Sequence, residues 1–123
     1  MTDPIAQLVT SLKNAHMAGK SDLRLPASHF KQDILTKLIE LGYVTKFEEL
    51  KEHGRLYFMV TLGGFEEIKL ISKPSRRIYL KARKIPLYRA KRSKLLLSTP
   101  KGLMFDAEAK KANQGGEVIL EVT

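Results

Sequence analysis

At Gly42 the spacing of apolar residues changes, and that change decides what the chain can fold into. Before it, Ile5, Leu8, Val9 and Leu12 recur at helical spacing. Phe30, Ile34, Leu35, Leu38, Ile39 and Leu41 do the same. Each set forms one buried stripe on an α-helix. Asp3 suits the first N-cap and Pro4 the first helical position, while Ser28 suits the second N-cap. Gly19 and Gly42 stand where the two helices should end, Gly42 in a left-handed cap. After Gly42 the pattern is that of strands. Val44, Phe47 and Leu50 lie along one strand, His53-Gly54 turns the chain, and residues 56–62 return. A short strand at 21–25, stopped by Pro26, separates the helices, and another is expected at 66–71 after Gly63-Gly64.

The second half reads as mostly strand. Residues 72–75, Ser-Lys-Pro-Ser, combine turn chemistry with a change in charge balance, which places an expected boundary there. Strands are expected at 77–81, 95–97 and 117–122, the last closing the sheet. Residues 82–93 hold Pro86 and read as a loop or single turn. Asp106 suits the cap of a short helix over 107–112, and residues 113–116 end it. The expected fold is α+β. A small N-terminal helix/sheet domain, 1–72, packs against a C-terminal basic, mostly β domain with a short helix, 73–123.

Charge separates the halves more sharply than secondary structure does. Residues 1–72 hold nine Lys/Arg and nine Asp/Glu, whereas residues 73–123 hold thirteen and four. The whole formal net charge of +9 therefore lies in the second half. Between residues 73 and 101 stand eleven cations and no anion. An ordinary solvated surface mixes both signs, so this stretch calls for a polyanionic partner. Tyr79 and Tyr88 lie among the cations and offer flat faces to a base or ribose. No amphipathic basic helix suits a membrane surface.

Other chemistries have little to stand on. There is no cysteine, so disulfides and thiolate metal sites are excluded. His16, His29 and His53 lack ligand spacing. Glu48-Glu49 and Glu66-Glu67 are strand neighbours whose side chains point to opposite faces. No phosphate-binding glycine loop or nucleophile elbow occurs. The expectation is a cytoplasmic protein, not an enzyme, with no cofactor and no metal. The start, MTDPIAQLV, lacks the basic and long apolar regions of a secretory signal.

Within the basic half, two short motifs carry the candidate contacts. Ser98-Thr99 ends a buried strand, followed by Pro100 and by Lys101-Gly102. Short hydroxyls on a rigid strand end can approach RNA closely, and they can equally cap a turn. Gly115-Gly116-Glu117 precedes the last strand. A carboxylate beside phosphates is repelled unless it accepts from base N–H groups, so Glu117 is a candidate specificity residue.

Together, DPIAQLVTSLKNA, SKPSRRIYL, STPKGLMFDAEAKKA and GGEVILEV resemble, in order and over nearly the whole chain, the bacterial small-subunit ribosomal proteins numbered eight. The resemblance implies a ribosomal component that binds a helix in the central domain of small-subunit ribosomal RNA early in assembly. It also implies a monomer outside the ribosome, neighbouring small-subunit proteins within it, and in some bacteria repression of the protein's own operon through its messenger RNA. The family's Ser-Thr-Ser, Gly-Gly-Glu and Arg-x-Tyr motifs fall on Ser98-Thr99-Pro100, Gly115-Gly116-Glu117 and Arg77-Ile78-Tyr79. Lys13 and Asn14 match in the first helix, and Lys31 in the second. Pro100 replaces a serine, and Ser75 and Ser11 stand where glycine and a basic residue are usual. The expected RNA contacts are Ser98, Thr99, Lys101, Gly102, Gly115, Gly116, Glu117 and Tyr79. Arg76, Arg77, Lys81, Arg83, Lys84, Arg89, Lys91 and Arg92 would meet phosphates. Lys13, Asn14 and Lys31 would add contacts from the first half. Two other classes fit the same charge: a DNA-binding regulator, and a scaffold whose charge serves solubility alone.

Overall fold

A computed structural model describes residues 4–73, 75–85 and 93–123. The expected cap Asp3, the turn residue Pro74, and Tyr88, Arg89, Lys91 and Arg92 lie outside the described residues. The chain forms two compact units, residues 1–65 and 66–123.

In the first unit two helices and a three-stranded antiparallel sheet share one core. Helix α1 (Pro4–Met17) is followed by β1 (Asp22–Pro26), α2 (His29–Glu40), β2 (Val44–Glu52) and β3 (Arg55–Leu62). The sheet order is β1-β3-β2. The middle of each helical stripe read from the sequence is buried, Leu8, Val9 and Leu12 from α1 and Ile34, Leu35 and Leu38 from α2, whereas Phe30 and Leu41, expected in the second stripe, are exposed at the two ends of α2. They meet Leu25, Val44, Phe58 and Val60 of the sheet. Ser28 caps α2 as expected, its hydroxyl accepting the Lys31 N–H at 3.2 Å, and Gly42 takes φ +80° just past the helix end.

A bulge on β2 explains an apolar spacing that does not fit a flat strand. Val44 opposes Leu62 and Phe47 opposes Val60, with the register slipping between Val44 and Lys46. One extra residue therefore brings Val44 and Phe47, three apart, onto the same face. Phe47 then meets the Phe58 ring edge-on, with centroids 5.2 Å apart. Leu50 has no such help. It opposes Tyr57 on the other face and is only half-buried.

Lys31 corrects the sequence reading. Expected as an RNA contact, it is 3% exposed. Its ammonium donates to Gln7 Oε1 at 2.8 Å and to the Pro26 carbonyl at 3.0 Å. It ties α2 to α1 and to the end of β1, and a side chain this deeply buried presents almost no surface to a phosphate. Burial holds its pKa below the ordinary lysine value.

The second unit is built on one central strand. Its strands are β4 (Ile68–Leu70), β5 (Tyr79–Leu80), β6 (Lys94–Thr99), β7 (Gly102–Phe105) and β8 (Gly116–Val122). A 3₁₀ turn, Ala82–Lys84, follows β5, and helix α3 (Asp106–Lys111) follows β7. The order is β4-β8-β6-β7, with β5 also pairing β8. The last strand is thus the middle of the sheet, not its edge. The strand expected at 66–71 pairs with β8 rather than with the first sheet, Ile68 opposing Val122 and Leu70 opposing Leu120. The division of the units accordingly falls between Phe65 and Glu66, ahead of the turn at 72–75. Ile85, Leu97, Ala109 and Val118 form a buried cluster in this unit, with Ile71, Ile78, Leu80, Leu95 and Met104 packed around it. Asp106 is the first residue of α3 rather than its cap; its carboxylate accepts the Ala107 N–H at 2.9 Å.

Replacing Lys31 with Met should lower unfolding free energy by about 1–3 kcal/mol, the cost of leaving two acceptors unmet, and leave the RNA affinity of the folded protein unchanged. Because the folded value is depressed, the unfolded chain binds more protons just below the ordinary lysine pKa. Wild-type stability relative to the variant should therefore rise with pH across that alkaline window, as denaturant titrations would show.

Candidate RNA interface

The two motifs singled out in the sequence meet across β6 and β8. In the antiparallel register Ser98 opposes Glu117, and Glu117 opposes Tyr79 on β5. Opposed residues on neighbouring strands share a face. A hydroxyl, a carboxylate and a phenol from three separate strands therefore form one row. Tyr79 is 67% exposed. Ser98 and Glu117 are half-buried, which limits their rotamers.

This row exists because two glycines let backbones touch. A Cβ on Gly116 would lie far inside contact distance of the Ser98 carbonyl oxygen and 3.1 Å from Thr99 Cα. A Cβ on Gly115 would lie 2.5 Å from the Leu80 carbonyl oxygen and 2.8 Å from Lys81 Cα. Gly-Gly reads in sequence as a turn. Here it is the point where β8 is gripped by β6 on one side and by the end of β5 on the other.

The two hydroxyls of Ser98-Thr99 have different work. Thr99 is 8% exposed. Its Oγ1 donates to the Gly102 carbonyl at 2.7 Å and accepts the Lys101 N–H at 3.2 Å. It closes the β6–β7 hairpin, where Thr99 pairs Gly102 and Gly102 takes φ +112°. Pro100 occupies the second turn position, which its fixed φ suits. The turn reading therefore holds for Thr99. The Ser98 hydroxyl has no hydrogen bond to a described residue and remains available to a ligand.

The approach to β5 is fixed by a serine that the sequence reading missed. Ser72 is 3% exposed. Its Oγ accepts the Ile78 N–H at 2.9 Å and donates to the Ile78 carbonyl at 3.3 Å. That carbonyl also accepts from Val118 N–H at 2.8 Å. Lys73 and Arg76 exchange both backbone hydrogen bonds at 2.9 Å, closing the loop between them. A serine inside a turn-like stretch gives no sequence signal of burial; only the two partners on Ile78 reveal its role.

The expected cations separate in the same way. Arg76, Lys81, Arg83, Lys84 and Lys101 are exposed and have no acidic partner among the described residues. Arg77 differs: its Nη1 meets Glu117 Oε2 at 3.1 Å. Lys110, on α3, donates to the Ile85 carbonyl at 2.9 Å and anchors the chain just past the 3₁₀ turn. Lys13 and Asn14 are exposed on α1 in the first unit. Among the described residues no three His, Asp or Glu side chains gather as a metal site, and no helix is long and apolar enough to cross a membrane.

Two substitutions test this division of labour. Gly116→Ala should destabilise the protein by about 1–3 kcal/mol through overpacking, seen as a lowered Tm. Thr99→Val should cost about 1–2 kcal/mol from two lost turn hydrogen bonds, with RNA affinity of the folded protein unchanged in a filter or fluorescence titration.

Residues 3–123 match the family described as "Ribosomal protein S8". "Small ribosomal subunit protein uS8" of Cereibacter sphaeroides (strain KD131 / KCTC 12085) is 37% identical over 99% of both chains. The Thermus aquaticus protein of that name is 35% identical over 99% of both. That of Paracoccus denitrificans (strain Pd 1222) is 38% identical over 99% of this chain and 98% of its own. The chain belongs to the ribosomal protein S8 family, a family of structural proteins of the small ribosomal subunit rather than of enzymes.

Proposed function

We propose that this chain works in the ribosome by binding folded small-subunit ribosomal RNA, and that its target is a helix of the central domain. The observation that carries the reading is the Ser98–Glu117–Tyr79 row, with unpaired cations on the elements around it. Exposed Arg76, Lys81, Arg83, Lys84 and Lys101 supply sequence-independent affinity by displacing counterions from phosphates. The row supplies discrimination. Tyr79 offers a face for a ribose or an unstacked base, Ser98 donates or accepts, and Glu117 accepts base N–H groups and repels whatever presents only phosphate oxygens. Both glycines keep the β8 backbone close to its neighbours, so the three groups are fixed before the ligand arrives.

Binding of this kind early in assembly would hold the central domain in one conformation for later proteins, some of which would contact this chain. A messenger RNA that folds into the same local shape would compete for the same row. Repression of the chain's own operon is that competition, and it requires no second site. The chain acts as a single copy on one RNA.

The test is a titration of the purified protein with the central-domain helix of its own ribosomal RNA, a scrambled hairpin of equal length, and duplex DNA, across a salt series. The expected result is a preference for the helix that persists as salt rises. Arg76→Ala should weaken all three and reduce the slope of log K against log salt by about 0.7–0.9, one phosphate contact. Equal, salt-labile binding to all three would leave only an electrostatic patch. Comparable tight binding to duplex DNA would favour a DNA-binding regulator instead.

A further inference from the structure

Among the described cations of residues 73–101, Arg77 stands apart because it faces an acid. Its Nη1 lies 3.1 Å from Glu117 Oε2. The side chains are 43% and 24% exposed. An ion pair this open is weak in itself and is easily broken by solvent. Here its geometry is set from both sides of the arginine. The Lys73–Arg76 bridge holds the backbone before it. The Ser72 hydroxyl and Val118 N–H hold Ile78 after it. Glu117 is fixed in turn by its place on β8 between Ser98 and Tyr79. The pair also leaves Oε1 of Glu117 with no donor among the described residues.

We infer that Arg77 is a positioning residue for Glu117 and not a phosphate contact: it orients the carboxylate and offsets its charge, so that Glu117 presents one fixed acceptor to an N–H group of an RNA base. Three physical facts support the assignment. A lone carboxylate within a field of phosphates meets repulsion, and a guanidinium at hydrogen-bond distance offsets it. A carboxylate free to rotate would lose rotamer freedom on binding, and one already held has little left to lose. Arg76, the adjacent residue, is exposed and has no acidic partner among the described residues, so the segment keeps a free cation for phosphate beside a committed one.

The inference rests on the RNA-binding reading above, and its experiment separates the two. Wild type, Arg77→Ala, Arg77→Lys, Glu117→Gln and the Arg77→Ala/Glu117→Gln double variant are titrated with the central-domain helix and the scrambled hairpin over a salt series. Folding of each is checked by thermal unfolding. A positioning role gives four linked results. Arg77→Ala and Glu117→Gln each reduce the preference for the helix by about tenfold, the worth of one charge-assisted hydrogen bond. The double variant is no worse than either single one. The salt slope stays at the wild-type value. Arg77→Lys recovers part of the preference, because an ammonium keeps the charge but loses the planar fork. If Arg77→Ala instead weakens both RNAs equally, lowers the salt slope and adds to Glu117→Gln, Arg77 is a phosphate contact and the inference falls while the RNA-binding reading stands. If the wild type shows no preference for the helix, both fall together.

Discussion

Everything at the interface depends on how closely β8 can lie against its neighbours at residues 115 and 116. Strands in a sheet are held about 4.8 Å apart by their hydrogen bonds, and side chains normally project clear of the partner backbone. Here the backbone of Ser98 and Thr99 crowds the space a Cβ would need on Gly116, and that of Leu80 and Lys81 crowds Gly115. Only glycine tolerates both contacts. The reward is that Glu117, the next residue, has little room to shift, and its neighbours Ser98 and Tyr79 are placed by the same contacts. On the RNA-binding reading proposed above, packing and recognition are one constraint seen from two sides of the strand.

Local features were readable because they are written locally. The helices, the centres of their apolar stripes, the Ser28 cap and the Gly42 end follow from spacing and residue type, and they match the structure; Phe30 and Leu41, at the ends of the second stripe, do not. The hairpin at His53-Gly54 follows from a turn pair whose φ values, +50° and +77°, are those of a primed two-residue turn. What escaped depends on distant partners. Strand β4 was visible but its partner was not, because Ile68 finds Val122 across most of the second unit. Strand β7 is four residues between a turn and a helix, too short to show a period. The bulge that aligns Val44 with Phe47 leaves only a spacing of three, which suits neither a strand nor a helix.

The same distinction runs through the candidate site. Glu117, Ser98 and Tyr79 stand out separately in the sequence by residue type, and the sheet brings them together. Their allocation was less legible. A threonine and a serine side by side look alike in sequence, yet one hydroxyl closes a hairpin and the other is left open. Lys31 carries the charge of a surface residue and sits inside, because α1 and β1 between them offer two acceptors at the length of its side chain. Arg77 reads as one cation among many until Glu117 is found beside it. Charge composition points to a polyanionic partner; geometry separates the cations committed to the fold from those left exposed.

The row of three also has a thermodynamic consequence. Tyr79, Ser98 and Glu117 come from strands far apart in the sequence, and they are neighbours only when β5, β6 and β8 are all in register. No fragment of the second unit can present them, so the ligand meets either the complete surface or none of it. Binding is then linked to the folding of that unit, and each tenfold excess of free ligand over its dissociation constant adds about 1.4 kcal/mol to the folded state. A copy without RNA lacks that contribution and opens more often, and proteases cut open chains. On the RNA-binding reading, a cell that makes more of this chain than it has RNA to receive it holds the excess in the less protected state, and the sheet itself links the lifetime of the protein to its ligand.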